Sequence, residues 1–185
     1  MGRPGRAARP RLAGQLIAEV AATLRAGGCV FADDEAALLV DAARDDAELT
    51  GLVARRVAGQ PLEHILGWAE FYGRRVAVGP GVFVPRRRTE LLARAAVDRV
   101  TPDAIVVELC CGVGAVSAAM AAAVHGVTFH AVDEDPIAVE FARVNLASAN
   151  ATAQVGDLYA PLPRNLRGAV DVIVANAPYV PTAAI

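Results

Sequence analysis

Apolar residues in the first third of the chain recur three or four positions apart. They are Leu12, Leu16, Ile17, Val20 and Leu24. This spacing predicts an amphipathic helix that ends at the glycine pair 27–28. A second helix is predicted over residues 33–43, capped by its two aspartates, and a third over residues 47–58. The pattern predicts a small helical domain over residues 12–67, and no side chain in it has the character of a catalytic group.

The period of the pattern changes after this domain. Short strand-like runs occupy residues 68–72, 74–78 and 82–84, and glycine and proline separate them. They predict a β-hairpin linker over residues 68–88.

From residue 89 onward, helical and strand-like segments alternate. Thr89 stands where it can cap a helix to about residue 100, and the pair 135–136, Asp-Pro, can open a later one. The predicted strands are residues 104–109, 127–132, 151–155 and 170–175, with a helix at 113–124 after the first. Continuous apolar strands joined by helices are typical of a parallel sheet. The pattern predicts an α/β domain over residues 89–185.

Composition narrows the classes of function. Hydrophobic residues make up 55% of the 185 residues, which favours a folded core over disorder. No stretch offers the roughly 18 uninterrupted apolar residues that a membrane span needs. Residues 1–11 carry four arginines and no acid, which predicts a flexible basic tail. The net charge of −2 argues against direct nucleic-acid binding.

Residue types exclude further chemistry. All 18 basic residues are arginines, so a Schiff-base lysine is excluded. The cysteines at 29, 110 and 111 have no disulfide spacing, which favours a reducing cytoplasm. Cysteines and histidines form no ligand cluster, so no metal site is predicted.

The turn after the first strand of the α/β region carries a candidate site. Glu108 lies just before the turn, and Cys110, Gly112 and Gly114 follow before a helix. Glycines let the backbone approach a ligand, and the helix N-terminus offers unpaired N–H groups. Asp133 ends the next strand about 20 residues later, where a carboxylate can accept hydrogen bonds from both ribose hydroxyls. These residues predict a nucleoside-containing ligand.

The same residues leave NAD and S-adenosylmethionine as alternatives. Residues 112–117 approximate the dinucleotide fingerprint, with serine in place of the third glycine. Glu108 favours S-adenosylmethionine, because an acid suits a methionine ammonium and repels a pyrophosphate. Residues 176–179, Asn-Ala-Pro-Tyr, then end the last strand. Asn176 is expected to point into the crevice where α/β sheets bind ligands, and Tyr179 to offer a flat face for an amide or base.

With these motifs the chain resembles the release-factor glutamine methyltransferases of the HemK (PrmC) family, whose marker is Asn-Pro-Pro-Tyr. The resemblance covers residues 48–181. It is carried, in order, by residues 52–61, 65–67, 70–73, 84–86, 89–92, 156–159 and 176–181. It implies a helical domain for partner docking, followed by a Rossmann-like class I methyltransferase domain that uses S-adenosylmethionine. The implied acceptor is a protein glutamine, in the Gly-Gly-Gln loop of peptide release factors or in a ribosomal protein.

The resemblance also implies roles for individual residues. The Asn176 side-chain oxygen and the Ala177 carbonyl accept the two N–H bonds of the acceptor amide, and Tyr179 packs on the amide plane. Asp133 holds the ribose, and Asp157 meets the adenine amino group. The catalytic candidates are Asn176, Ala177, Pro178 and Tyr179. The cofactor-binding candidates are Glu108, Cys110, Gly112, Gly114, Asp133, Asp157 and Asn176.

The chain departs from the family pattern at four positions. Cys110 replaces the usual first glycine, and Ala177 replaces the first proline of the marker while keeping its carbonyl. Arg87 and Arg88 replace a proline and an acid, which favours a solvated hinge over contact with an acidic or RNA-rich partner. The chain also ends soon after the fourth predicted strand, which predicts an exposed apolar edge and a fragment of a longer enzyme.

Three other functions fit parts of the pattern. An adenine-N6 nucleic-acid methyltransferase uses a similar tetrapeptide on a flipped base, but the sequence pI of 5.9 argues against it. A truncated, non-catalytic binding module fits the early end of the chain. An NAD-dependent oxidoreductase leaves Glu108 and Asn176 unexplained.

Overall fold

The protein forms two compact units, Met1–Leu66 and Gly67–Ile185. A computed structural model describes residues 9–177 of the chain. The division falls one residue before the boundary expected from the sequence. The segment predicted as a linker, residues 68–88, belongs to the second unit.

The first unit is helical. Its helices are α1 (Arg9–Ala26), α2 (Ala32–Ala42), α3 (Asp46–Val57) and α4 (Leu62–Leu66). Helix α1 begins at Arg9, so residues 9–11 of the predicted tail are helical, whereas residues 1–8 lie outside the described part of the chain. Helix α4 was not predicted, because a five-residue helix is too short to establish a period.

The caps of α2 and α3 differ from each other. The predicted aspartates of α2 do not cap it: its N-cap is Phe31, without a side-chain bond, and Asp33 and Asp34 lie in the first turn. Acids there still favour the helix through its dipole. Helix α3 is capped by Asp45, whose Oδ1 accepts from the Glu48 N–H at 2.8 Å.

The second unit begins with an antiparallel hairpin of β1 (Trp68–Phe71) and β2 (Arg74–Ala77). Its two-residue turn has positive φ at Tyr72 (53°) and Gly73 (68°), as a twisted hairpin of this length requires. The predicted third strand at residues 82–84 is absent, because Pro85 and the Gly-Pro-Gly before it leave the run without a strand partner. Val82 and Val84 are buried in the core.

A parallel sheet of four strands forms the centre of this unit, in the order β5-β4-β3-β6. A 3-10 turn, Arg87–Thr89, precedes its first helix, and Thr89 makes no side-chain capping bond. The elements are α5 (Glu90–Val97), β3 (Ile105–Leu109), α6 (Ala115–Ala123), β4 (Thr128–Asp133), α7 (Pro136–Asn145), β5 (Ala151–Val155) and β6 (Val172–Ala175). The Rossmann-like α/β prediction is confirmed.

The main core lies on one face of the sheet. There Val106 and Phe129 are fully buried beside Phe71 of the hairpin and Met120 of α6. On the other face a smaller cluster of Val107, Leu109 and Val132 is joined by Leu162 and Val170 from the segment before β6. On this face Ile173 stays 53% exposed. No described helix is long and apolar enough to cross a membrane.

Candidate functional site

The carboxyl ends of the four parallel strands bring the candidate residues to one edge of the sheet. The chain passes from β3 to β4 and β5 in one direction, then returns to place β6 on the other side of β3. Such a reversal opens a crevice outside the strand ends, where α/β sheets bind ligands. The loop after β3, the ends of β4 and β5, and Asn176 after β6 all lie at this edge.

The glycines of the loop after β3 have two different roles. Gly112 has φ 53°, and no atom lies within 4 Å of a Cβ built there. This position therefore leaves room for a ligand against the backbone. Gly114, with φ 72°, would place a Cβ 3.1 Å from Ala142 Cβ of α7. Its small size permits the loop to pack against α7, which is a structural role.

Cys110 adopts a backbone conformation that glycine favours. Its φ is 52°, which costs about 1 kcal/mol for a residue with a Cβ. Burial, followed by the negative charges of Asp133, Glu134 and Asp157, raises the pKa of its thiol. A neutral thiol is a poor nucleophile, which agrees with a shaping role for this residue.

Asp133 is held in position by backbone donors. Its Oδ2 accepts from the Gly112 N–H at 2.7 Å, and its Oδ1 accepts from the Asp135 N–H at 3.0 Å. Each carboxylate oxygen has two acceptor sites, so one on each remains for a ligand. The carboxylate links the β3 loop to the end of β4 and is oriented before any ligand arrives.

Glu108 is buried beneath α6, an arrangement that the sequence did not predict. Its Oε2 accepts from the Ser117 N–H at 2.8 Å, and the residue is only 5% exposed. Burial raises the pKa of Glu108 to about 7, against the opposing effect of the hydrogen bonds from Ser117. The carboxyl group therefore changes charge near neutral pH.

Replacing Glu108 with glutamine should remove a pH dependence of stability. The folded-state pKa is raised above the ordinary 4.5, so the folded state holds a proton that the unfolded state has lost. Stability should fall as pH rises from about 4.5 to 7, by about 3 kcal/mol in total. Glu108→Gln keeps an acceptor for the Ser117 N–H, and its free energy of unfolding should depend less on pH. Denaturant titrations at pH 5 and pH 8 measure this, and equal pH dependence in both proteins would contradict it.

Asn145, at the end of α7, was missed by sequence reasoning. Its Oδ1 accepts from the Ala77 N–H at 2.7 Å, and its Nδ2 donates to the Ala77 carbonyl at 3.0 Å and the Val113 carbonyl at 2.8 Å. One side chain thus ties the hairpin to the glycine loop. The sequence holds no signal for this role, because an asparagine ending a helix looks the same when it is solvated.

The remaining candidates lie at the same edge. Asp157, Asn176 and Ala177 are exposed there, the first after β5 and the other two directly after β6. Pro178 and Tyr179 lie outside the described residues. Among the described residues no cluster of side chains suits a metal ion.

A glycine loop after β3, an oriented acid at the end of β4 and a reversal of strand order together define a nucleoside-binding domain of the Rossmann-like type. Comparison with known families identifies it further: residues 74–184 match the methyltransferase small domain. The chain belongs to this family.

Known relatives agree with the resemblance seen in the sequence. The chain is 38% identical over 179 residues to the release factor glutamine methyltransferase of Mycolicibacterium smegmatis, covering 96% of this chain and 62% of the relative. It is 39% identical over 140 residues to the Streptomyces coelicolor protein of the same name, covering 74% and 50%. The chain therefore spans about half to three-fifths of the length of these relatives.

A solved structure supports the fold. The chain matches the Thermus thermophilus 16S rRNA N2 G1207 methyltransferase, in complex with AdoMet and guanosine, with a TM-score of 0.52 and 25% identity. The match covers 62% of this chain and 33% of that one.

Proposed function

We propose that the protein binds S-adenosylmethionine at the carboxyl edge of its sheet and takes part in methylating the side-chain amide of a protein glutamine. The proposed acceptor is the Gly-Gly-Gln glutamine of a peptide release factor, which the names of the relatives support. The observation that carries the cofactor assignment is the Asp133 carboxylate, which is held beside the open backbone of Gly112 by two N–H groups.

The residues at this edge fit the cofactor. Asp133 keeps acceptor sites for a ribose diol, and the absence of a Cβ at Gly112 leaves space beside it. Asp133, Glu134 and Asp157 add negative charge around the loop. Such a field attracts a cation and repels a pyrophosphate, which favours S-adenosylmethionine over NAD. When bound, S-adenosylmethionine supplies an electrophilic methyl group on its sulfonium.

The chain's own contribution to transfer is positioning. An amide nitrogen is a weak nucleophile because its lone pair is delocalised, so its orientation matters more than a strong base. Asn176 and Ala177 follow β6, the strand directly beside β3. We assign the Asn176 oxygen and the Ala177 carbonyl to accept the two amide N–H bonds and to stabilise the positive charge that develops on nitrogen. Pro178 and Tyr179 complete the proposed acceptor site.

Asn145 is a positioning residue in this proposal. Asn145→Ala removes three hydrogen bonds and releases the glycine loop at Val113, so affinity for S-adenosylhomocysteine should fall about tenfold while stability also falls. The control is Asn150→Ala, which removes the 2.8 Å bond from Asn150 to Thr128 Oγ1 at the opposite edge. Calorimetric titration of both variants measures the affinity, and their unfolding measures the stability, so the two effects can be compared. If both lost stability and neither lost affinity, Asn145 would be only structural.

Methyl transfer tests the function itself. Purified protein is incubated with radiolabelled S-adenosylmethionine and a release factor, and then with the same release factor carrying asparagine at the Gly-Gly-Gln glutamine. Label in the first and not the second supports the proposal. Label in adenine of an added oligonucleotide instead would favour the adenine-N6 alternative. Cofactor binding without transfer to either would favour a non-catalytic homologue.

A further inference from the structure

Three consecutive exposed arginines precede α5. They are Arg86, Arg87 and Arg88, and they lie directly before the first helix of the second unit. The Arg86 guanidinium lies 5.3 Å from the centre of the Phe83 ring, within the range of a cation–π contact. Phe83 is 60% exposed and Leu91, the second residue of α5, is 72% exposed. These five residues are called the basic patch below.

The basic patch lies at the same edge of the sheet as the candidate site. A Cβ on Gly81 would contact Ile137 in the first turn of α7, and α7 begins at the carboxyl end of β4. Helix α5 then leads to the amino end of β3, so its own start lies at the carboxyl edge. Helix α5 packs against α6 and β6, and Asn176 follows β6, so the segment of the arginines leads into a helix on the β6 side of this edge.

Charge is therefore divided across this edge. Asp133 ends β4, and Glu134 and Asp157 follow β4 and β5, on one side of β3. The arginines directly precede α5, which packs against β6 on the other side. Among the described residues no carboxylate forms an ion pair with Arg86 or Arg87. A cationic ligand suits the first half of the edge, and an anionic one suits the second.

We propose that the basic patch binds an acidic segment of the protein acceptor, adjacent in sequence to the glutamine that is methylated. This inference rests on the proposed function, and it adds that the partner is negatively charged near the methylated glutamine. A peptide is favoured over RNA because Arg86 lies over the Phe83 ring, which leaves that face unavailable for stacking a base. The exposed Leu91 adds an apolar contact that a peptide side chain can fill.

Fluorescence anisotropy of the protein with labelled peptides tests the surface. The probes are a Gly-Gly-Gln peptide flanked by glutamates, the same peptide flanked by serines, and single-stranded RNA of equal length. The acidic peptide should bind more tightly at low salt, and the double variant R87Q/R88Q should weaken it about tenfold, the scale of two exposed ion pairs. Binding of the serine peptide should not change. The control is Arg99→Gln, an exposed arginine beyond the other end of α5.

The outcomes separate this inference from the proposed function. Equal binding of acidic and serine peptides would overturn the basic patch as a docking site, even if both peptides were methylated. The docking site would also be overturned if RNA bound more tightly than the acidic peptide and lost this binding in the R87Q/R88Q variant. If the acidic peptide bound through the arginines but was not methylated, the docking site would be supported. The assignment as a glutamine methyltransferase would then be wrong.

Discussion

Replacing Asn176 with alanine is expected to lower methyl transfer about 10²-fold or more and to leave cofactor affinity nearly unchanged. The expected size is that of removing one preorganised polar contact at a reacting centre. Asn176 is exposed after the end of β6, so the substitution should not disturb the core. The measurement is methyl incorporation into a Gly-Gly-Gln release factor, with S-adenosylhomocysteine titrated into each variant.

Two further substitutions sharpen this prediction. Asn176→Asp keeps an acceptor oxygen but adds a negative charge. The charge should strengthen binding of the cofactor's sulfonium, and it should misorient the acceptor amide. Ala177→Pro should be nearly neutral, because the backbone carbonyl is present with either residue. Wild-type turnover in Asn176→Ala would mean that residues 176–179 form only a strand-ending turn, and the assignment of catalytic residues would be abandoned.

The parallel sheet was predictable because its two central strands, β3 and β4, are mostly buried on both faces. β3 begins with three consecutive apolar residues and β4 is apolar at half of its positions, and the helices that follow these strands are long enough to show a period. The run at residues 82–84 has the same composition but does not pair. Local propensity cannot distinguish a strand from a loop that buries Val82 and Val84, because pairing depends on distant residues.

The candidate site was predictable in its location and not in its internal contacts. Strand ends and glycines in the sequence place Gly112 and Asp133 at one edge of a sheet. The hydrogen bond between them, and the bond from the Ser117 N–H to Glu108, depend on how the loop turns and where α6 begins. Asn145 connects segments 68 residues apart at Ala77, and a single sequence contains no period or spacing that reveals such a link.

Asp133→Ala should lower affinity for S-adenosylhomocysteine by about tenfold to a hundredfold. The substitution removes the proposed ribose contact, and it also leaves the Gly112 and Asp135 N–H groups without their acceptor. Charge-assisted hydrogen bonds contribute about 1.5–3 kcal/mol each, and every 1.4 kcal/mol is about a tenfold change in affinity. Because the loop loses its anchor as well, Asp133→Asn should recover only part of the loss.

The matched control for Asp133 lies at the opposite edge of the sheet. Asp171 Oδ2 accepts from the Ile105 N–H at 2.8 Å, so it is a carboxylate with a backbone donor at the amino end of β3, whereas Asp133 accepts from the loop at the carboxyl end of β3. Asp171→Ala should therefore lower the free energy of unfolding without changing cofactor affinity. Calorimetric titration at a temperature where both variants are folded separates the two effects. If Asp133→Ala and Asp171→Ala lost affinity equally, the effect of Asp133 would come from the stability of the sheet. If Asp133→Ala kept its affinity, the proposal that the cofactor binds at this edge would be wrong.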